Sequence, residues 1–184
     1  MIKSTIVTTA LLTTLIFNAA NDFNQELPIP VQITNEKENV IRVKARYALE
    51  ELGAPAHRMN RLVNAVHAGH IASDGIDPIL IASIISPESS FKIDGVSNKG
   101  YKSLMGTPKA VMKWEYAETN VVYGSQILRD KISAAGGNVD KALVYYKGHG
   151  GAESQYYAKK QMQLYRTVRD KVNKKMKEEE LKNG

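Results

Sequence analysis

The chain of 184 residues is long enough for one domain with a buried core, and we do not expect two. Its hydrophobic content of 43% and charged content of 24% are ordinary for a globular protein, and the lack of cysteine excludes disulfides and lipid attachment at a cysteine. The net charge of +6 comes without interleaved aromatic residues or a recognised motif, so we predict no nucleic-acid binding.

Residues 1–20 have the features of a secretory signal peptide. Lys3 gives a short basic start, an apolar and threonine-rich run extends from Ile6 to Phe17, and small residues suitable for cleavage precede residue 21. The run is too short to span a membrane comfortably. We therefore predict export, to the periplasm or to the extracellular and cell-wall side, with cleavage near Ala20. A retained N-terminal anchor or a buried core segment are the alternatives.

A helical pattern begins at Glu36, after a segment with two prolines, residues 21–35, which predicts an extended linker. Apolar residues then recur at helical spacing until Gly53 and Pro55 end the run. A second helix is predicted over residues 57–71.

The third predicted helix has a clear start and the most informative end. Asp77 can cap it, and Pro78 suits the first helical position. Residues 79–85 are apolar on nearly all sides, as in a central buried helix, and Pro87 should kink or end that helix at Glu88. Because so much apolar surface disfavours a charged carboxylate, Glu88 is expected to hold a proton near neutral pH and to act as a general acid.

The second half of the chain predicts further helices and only short strand-like pieces, near residues 92–104. The expected helices begin at Thr107-Pro108, span residues 116–135 before two glycines, begin at the cap Asn138, and end the chain after a glycine-rich loop. The predicted fold class is therefore mostly α.

Basic residues are concentrated at the C-terminal end. Residues 159–184 hold nine basic and four acidic residues. Two interpretations stay open: a solvated helix face, or a surface that favours an anionic polymer or a membrane. The predicted organisation is a signal peptide (1–20), a linker (21–35), a globular domain (36–172) and a charged tail (173–184).

An ordered set of motifs resembles the soluble lytic transglycosylase family, which shares the fold of goose-type lysozyme. The set spans about residues 75–172 and comprises, in chain order, Glu88-Ser89-Ser90-Phe91, Ser97, Gly100, Leu104-Met105, Pro108, Asn120, Gly124, Leu128, the run from Ala142 to Gly148, and Tyr157. The resemblance implies a lysozyme-like helical domain with a short irregular or β-like loop after the catalytic helix.

The resemblance also implies a one-carboxylate mechanism on peptidoglycan, between N-acetylmuramic acid and N-acetylglucosamine. Glu88 would protonate the glycosidic oxygen while the substrate's own N-acetyl group assists at the anomeric carbon. The ionised Glu88 would then take the proton of the 6-hydroxyl and close a 1,6-anhydro ring. Ser97, Met105 and Tyr146 are implied as substrate-binding residues, with no cofactor and no metal.

Simpler structural interpretations exist for these residues. Ser97 could stabilise a turn, Met105 could fill the core, and Tyr146 could pack through its ring. His67 and His70 lie three apart on one helix and could share a metal. No third ligand is evident, so we predict no metal site.

The sequence departs from the family pattern at Pro87 and at three further positions. Ser103, Gly106 and Lys147 stand where the family has Gly, a sugar-contacting Gln and Asn. Two alternatives therefore stay open beside the transglycosylase: a hydrolytic lysozyme, and a peptidoglycan-binding or assembly module with impaired catalysis. The expected role is local remodelling or penetration of the cell wall, by a secretion or conjugation apparatus or by a phage.

Overall fold

The computed structural model of the chain describes residues 31–93, 104–106, 117–148 and 150–183. The chain divides into two compact units, residues 1–35 and residues 36–184. The predicted signal peptide, residues 21–30 of the predicted linker, Ser97, most of the strand-like segment and the Thr107-Pro108 helix start lie outside the described residues.

Helices make up most of the described chain. They are α1 (Val31–Glu51), α2 (Met59–Ala72), α3 (Pro78–Ser89), α4 (Ala117–Ala134), α5 (Val139–Lys147) and α6 (Ala152–Asn183). A 3-10 turn, Ala56–Arg58, leads into α2. The described residues contain no β-strand, so the mostly-α prediction is confirmed. No helix in these ranges is both long and apolar enough to cross a bilayer.

The first and last helices are longer than the sequence predicts. α1 begins at Val31, so residues 31–35 of the predicted extended linker are helical. Neither proline nor glycine occurs in residues 31–51, so no helix breaker opposes this start. At the other end α6 runs to Asn183, so the predicted charged tail, residues 173–183 as described, continues that helix.

Buried α3 lies at the centre of the core. As predicted, Pro78 opens this helix, and Asp77 Oδ1 accepts a hydrogen bond of 2.9 Å from the N–H of Ile79. Every residue from Pro78 to Ile85 is buried. Burial of one such isoleucine side chain stabilises the fold by about 1.5–3 kcal/mol. Because this part of α3 is buried, the orientation of the helix is fixed, and its last turn lies at the surface.

Pro87 changes the hydrogen bonding of α3 without ending it. Proline has no N–H, so the Ser83 carbonyl, four residues earlier, loses its helical donor. Buried Gln161 of α6 supplies a donor instead: its Nε2 lies 3.0 Å from Ser83 O. The helix therefore continues past Pro87 and ends at Ser89, one residue beyond the predicted end at Glu88.

A second bond joins α6 to the start of α3. The Tyr165 hydroxyl donates to Asp77 Oδ2 at 2.8 Å. Burial and this bond raise the pKa of Tyr165 to about 12, so the hydroxyl keeps its proton and remains a donor at neutral pH. Elsewhere α2 packs against α4, and α5 packs against both α4 and α6. Helix α6 thus holds α3 at its start and at its middle, one turn before the turn that carries Glu88.

Candidate active site

Glu88 lies in the last turn of α3, and its side chain is only 14% exposed. The backbone turns sharply after it, because Ser90 and Phe91 have positive φ angles of 49° and 62°. Such conformations cost about 1–2 kcal/mol per non-glycine residue and cluster at functional sites. Phe91 is buried, and its carbonyl accepts a hydrogen bond of 3.0 Å from Arg58 Nη1. Core packing and Arg58 together stabilise the strained turn next to Glu88.

Lys147, the last residue of α5, forms an ion pair with Glu88. Its Nζ lies 3.1 Å from Oε1 and 3.5 Å from Oε2. The same ammonium lies 4.8 Å from the ring centroid of Tyr157 on α6. The Lys147 side chain is 35% exposed and that of Glu88 is 14% exposed, so the carboxylate is the covered member of the pair and the ammonium the exposed one.

Gly106 lies against the other oxygen of the carboxylate. Its φ is +63°, a conformation that glycine adopts without strain. A Cβ at this position would lie 2.8 Å from Glu88 Oε2, closer than real Cβ contacts allow. A residue with a side chain therefore cannot occupy position 106 unless Glu88 moves. The glycine at position 106 is thus matched to the position of the Glu88 carboxylate.

Tyr146 reaches the same region from α5. Its hydroxyl donates to the Met105 carbonyl at 2.9 Å, while the Met105 N–H donates to Asn120 Oδ1 at 2.9 Å. Two helices therefore fix this peptide segment beside Gly106. Burial raises the pKa of Tyr146, and the Glu88 charge raises it further. The Tyr146 hydroxyl consequently remains a proton donor throughout the neutral range.

The Met105 side chain points into the core and is fully buried. A Cβ on Gly124 would lie 2.8 Å from its sulfur, and the Ser125 hydroxyl lies 3.7 Å from that sulfur. The bare α-carbon of Gly124 thus makes room for the thioether. In this structure Met105 contributes its backbone to the surroundings of Glu88, while its side chain fills the core.

Tyr157 approaches Glu88 from α6. Its hydroxyl is buried and forms no hydrogen bond of standard geometry within the described part of the chain. The hydroxyl is nevertheless close enough to Glu88 to feel its charge. Burial is the main cause that raises the pKa of Tyr157, and the negative charge of Glu88 raises that pKa further. Gln161, which bonds to Ser83, follows one helical turn later. A single face of α6 therefore supports both the helix and the carboxylate.

The structure brings together some of the residues predicted from sequence and adds others. Glu88 and Tyr146 are neighbours, and the Tyr146 hydroxyl bonds to Met105, the residue before Gly106, whereas Ser97 lies outside the described residues. Lys147 was visible in the sequence only as a departure, and Tyr157 only as a matching position. The four-residue spacing of Tyr157 and Gln161 is the signal that places both on one face of a helix.

A separate groove of about 850 Å³ lies between α5 and α6 and is open to solvent. Tyr145 and Met162 contribute to its walls, and neither Glu88 nor Tyr146 lines it. An ion pair of 3.6 Å joins two of its lining residues, Arg166 and Asp140. The two consecutive tyrosines thus serve different surfaces: Tyr145 lines this groove and Tyr146 contacts the Glu88 region.

The histidines on α2 have other partners. The Nδ1 of His70 lies 2.8 Å from the Ile76 carbonyl, and the Nε2 of His67 lies 3.7 Å from Glu38 Oε1. Burial, followed by the Arg42 charge, lowers the pKa of His67. Within the ranges that the structure describes, no three His, Cys, Asp or Glu side chains are grouped as a metal site would require.

Two basic residues of the C-terminal helix contact α1. Lys171 pairs with Glu51 at 3.0 Å and Lys175 with Glu50 at 2.8 Å. Lys175 also lies 3.9 Å from the ring centroid of Tyr47. These contacts place part of the positive charge of α6 against α1, where carboxylates neutralise it.

No protein-family model matches the chain, and no solved structure matches it. A functional assignment therefore depends on the geometry around Glu88 together with the ordered motifs.

Proposed function

We propose that residues 36–172 form a goose-type lysozyme-like domain that cleaves the glycan strands of peptidoglycan. The bond cleaved is the one between N-acetylmuramic acid and N-acetylglucosamine, and Glu88 is the single acid and base. The observation that carries this proposal is the placement of Glu88: a largely covered carboxylate at the end of a buried helix, with Tyr146 and the Met105 backbone beside it.

The one-carboxylate reaction is the one that the ordered motifs imply. Around Glu88 the structure places the Lys147 ammonium and two tyrosines, while Asp94, the acidic residue nearest to Glu88 in the sequence, lies outside the described residues. In this reaction Glu88 would act twice, first donating a proton to the glycosidic oxygen and then accepting one from the 6-hydroxyl. The N-acetyl group of the substrate would assist at the anomeric carbon between these steps.

Product analysis tests this proposal. Purified sacculi are digested with the protein, and the soluble fragments are analysed by mass spectrometry. The proposed reaction gives 1,6-anhydro ends, which are lighter by one water than the reducing ends of a hydrolase. Reducing ends alone would show that water enters the site and that the protein is a hydrolytic lysozyme. Digests without soluble glycan fragments, across a range of pH, would contradict cleavage of either kind.

A second candidate is a peptidoglycan-binding or assembly module with impaired catalysis. The observation that favours it is the ion pair itself, because the Lys147 ammonium occupies the carboxylate that a glycan would need. Such a module would sediment with sacculi and release no soluble fragments. A cleaving protein would release them in proportion to time and enzyme.

The proposed setting is the cell wall, reached by export through the N-terminal segment. Local remodelling or penetration of the wall by a secretion or conjugation apparatus, or by a phage, would use such an activity. The exposed basic residues of α6 would add attraction to an anionic polymer or membrane surface.

A further inference from the structure

The contacts of Lys147 fix a positive charge directly on the proposed catalytic carboxylate. Three helices take part: α3 supplies Glu88, α5 supplies Lys147, and α6 supplies the Tyr157 ring that lies 4.8 Å from the ammonium. The ammonium lies within reach of both carboxylate oxygens, at 3.1 and 3.5 Å.

We infer that Lys147 is a positioning residue that controls whether Glu88 carries a proton. In the resting site the Lys147 ammonium is paired with the Glu88 carboxylate, and proton donation from Glu88 requires that this pair open. This inference rests on the proposed function, because it concerns the group that would donate a proton to the glycan.

Competition for the carboxylate oxygens is the physical basis. A proton on Glu88 and an ammonium at 3.1 Å cannot both be bound favourably, because protonation removes the charge that attracts the ammonium. Oε2 faces Gly106, a position that carries no side chain. The carboxylate is the covered member of this pair, while Lys147 is an exposed residue. Lys147 is thus well placed to set the protonation state of its neighbour.

The remaining titratable groups that act with Glu88 are two phenols, Tyr146 from α5 and Tyr157 from α6. Burial raises the pKa of each phenol, so both are neutral at physiological pH. Lys147 is a charged group in direct contact with the carboxylate. The Tyr157 ring offers the ammonium an alternative position, because a cation can remain over an aromatic face after it leaves the ion pair.

Glycan cleavage by three variants across a range of pH is the first test. Lys147→Met keeps the length of the stem but removes the charge, and Lys147→Arg keeps the charge. Lys160→Met is the matched control, because Lys160 lies 5.5 Å from a ring centroid, that of Tyr156, on the same helix as Tyr157. We expect the optimum of Lys147→Met to move to higher pH, with cleavage near neutral pH about tenfold faster or more. Lys160→Met should follow the wild type, and Lys147→Arg should keep the wild-type pH optimum because it keeps the charge.

Two results of that assay would overturn the inference. One is an unchanged pH profile in Lys147→Met. The other is an equal loss of rate at every pH in Lys147→Met together with wild-type rates in Lys147→Arg, because Lys147 would then support the reaction rather than restrain it.

Carbon-13 NMR of the side-chain carboxyls provides a test that needs no activity. The Glu88 signal is assigned by its absence in Glu88→Gln and followed as the pH is lowered. We expect its protonation change to occur at higher pH in Lys147→Met than in the wild type, Lys147→Arg or Lys160→Met. The same transition in all four proteins would overturn the inference. A displaced transition in proteins that never cleave glycan would support control by Lys147 and refute the proposed function alone.

Discussion

The side-chain amide of Gln161 donates a hydrogen bond of 3.0 Å to the carbonyl of Ser83, the group that Pro87 leaves without its helical donor. Pro87 immediately precedes Glu88, and Gln161 lies one turn beyond Tyr157. A residue of α6 thus compensates for an irregularity of α3 at the point where the carboxylate emerges. The last turn of α3 owes its position to α6.

Replacement of Gln161 by Leu should destabilise the protein by about 1–3 kcal/mol, because it leaves the buried Ser83 carbonyl unpaired. In a Pro87→Ala background the new N–H at position 87 can donate to that carbonyl. Gln161→Leu should therefore lower the free energy of unfolding by less in the Pro87→Ala background than in the wild type. Urea unfolding of the two single variants and the double variant measures the coupling. If the two single substitutions change the free energy of unfolding additively, within about 0.5 kcal/mol, then the bond from Gln161 does not compensate for the donor that Pro87 lacks.

Gly106→Ala should displace the Glu88 carboxylate, because its Cβ would lie 2.8 Å from Oε2. We expect glycan cleavage to fall by about 100-fold, the effect of a misplacement near 1 Å. Gly136→Ala is the matched control: its φ of +64° equals that of Gly106 within a degree, and no atom lies within 4 Å of its Cβ. Cleavage is measured on purified sacculi. Equal rates for the two variants would mean that position 106 requires glycine because of its positive φ and not because of contact with Glu88.

Tyr146→Phe should destabilise the protein by about 1–3 kcal/mol, because the Met105 carbonyl loses the hydroxyl that donates to it. Tyr145→Phe removes a hydroxyl from the neighbouring residue, which lines the groove between α5 and α6. That control should stay within about 0.5 kcal/mol of the wild type. Thermal unfolding compares the two. Similar losses in both would argue against a specific role for the bond between Tyr146 and Met105.

Acidification should destabilise the protein partly through His67. Burial is the main cause that lowers the pKa of His67 in the fold, Arg42 and His70 add to that effect, and Glu38 opposes it. The unfolded chain therefore binds the proton more readily. Above the usual histidine pKa of about 6.5, His67 is neutral in both the folded and the unfolded chain, and its lowered pKa costs no stability. As the pH falls below that value toward the lowered pKa of the folded state, the unfolded chain takes up the proton first, and the free energy of unfolding decreases.

Denaturant unfolding at about pH 7.5 and 5.5 measures this contribution. We expect His67→Gln to lose less stability between the two pH values than the wild type does. His57→Gln, which alters an exposed histidine, should lose as much as the wild type. An equal loss in His67→Gln would show that other groups account for the acid sensitivity.

Local features of the sequence predict most of the secondary structure. Asp77 and Asn138 accept hydrogen bonds from the N–H groups of Ile79 and Lys141, as their cap patterns predict. The long helix before Gly136 ends within one residue of its predicted limit. These outcomes depend on neighbours in the chain, so a sequence pattern is sufficient. The early start of α1 was missed because prolines up to residue 30 suggested that the extended segment continues.

Contacts between distant residues could not be predicted in the same way. The pair of Lys147 and Glu88 joins residues 59 positions apart, and the bond of Gln161 to Ser83 joins residues 78 positions apart. The motif order placed Glu88 and Tyr146 near one another, but no periodicity indicates that a lysine would contact the carboxylate. The buried position of the Met105 side chain likewise depends on Gly124, which another helix supplies.

Glycan release from purified sacculi by Glu88→Gln, compared with the wild type, tests the central claim most directly. Glutamine keeps the shape of the side chain but cannot donate and accept the required proton. Glu153→Gln, an exposed change in the first turn of α6, serves as the control. If Glu88 is the acid and base, its variant should release fragments about 10²–10⁴-fold more slowly while Glu153→Gln matches the wild type. Release by Glu88→Gln at the wild-type rate would contradict the assignment.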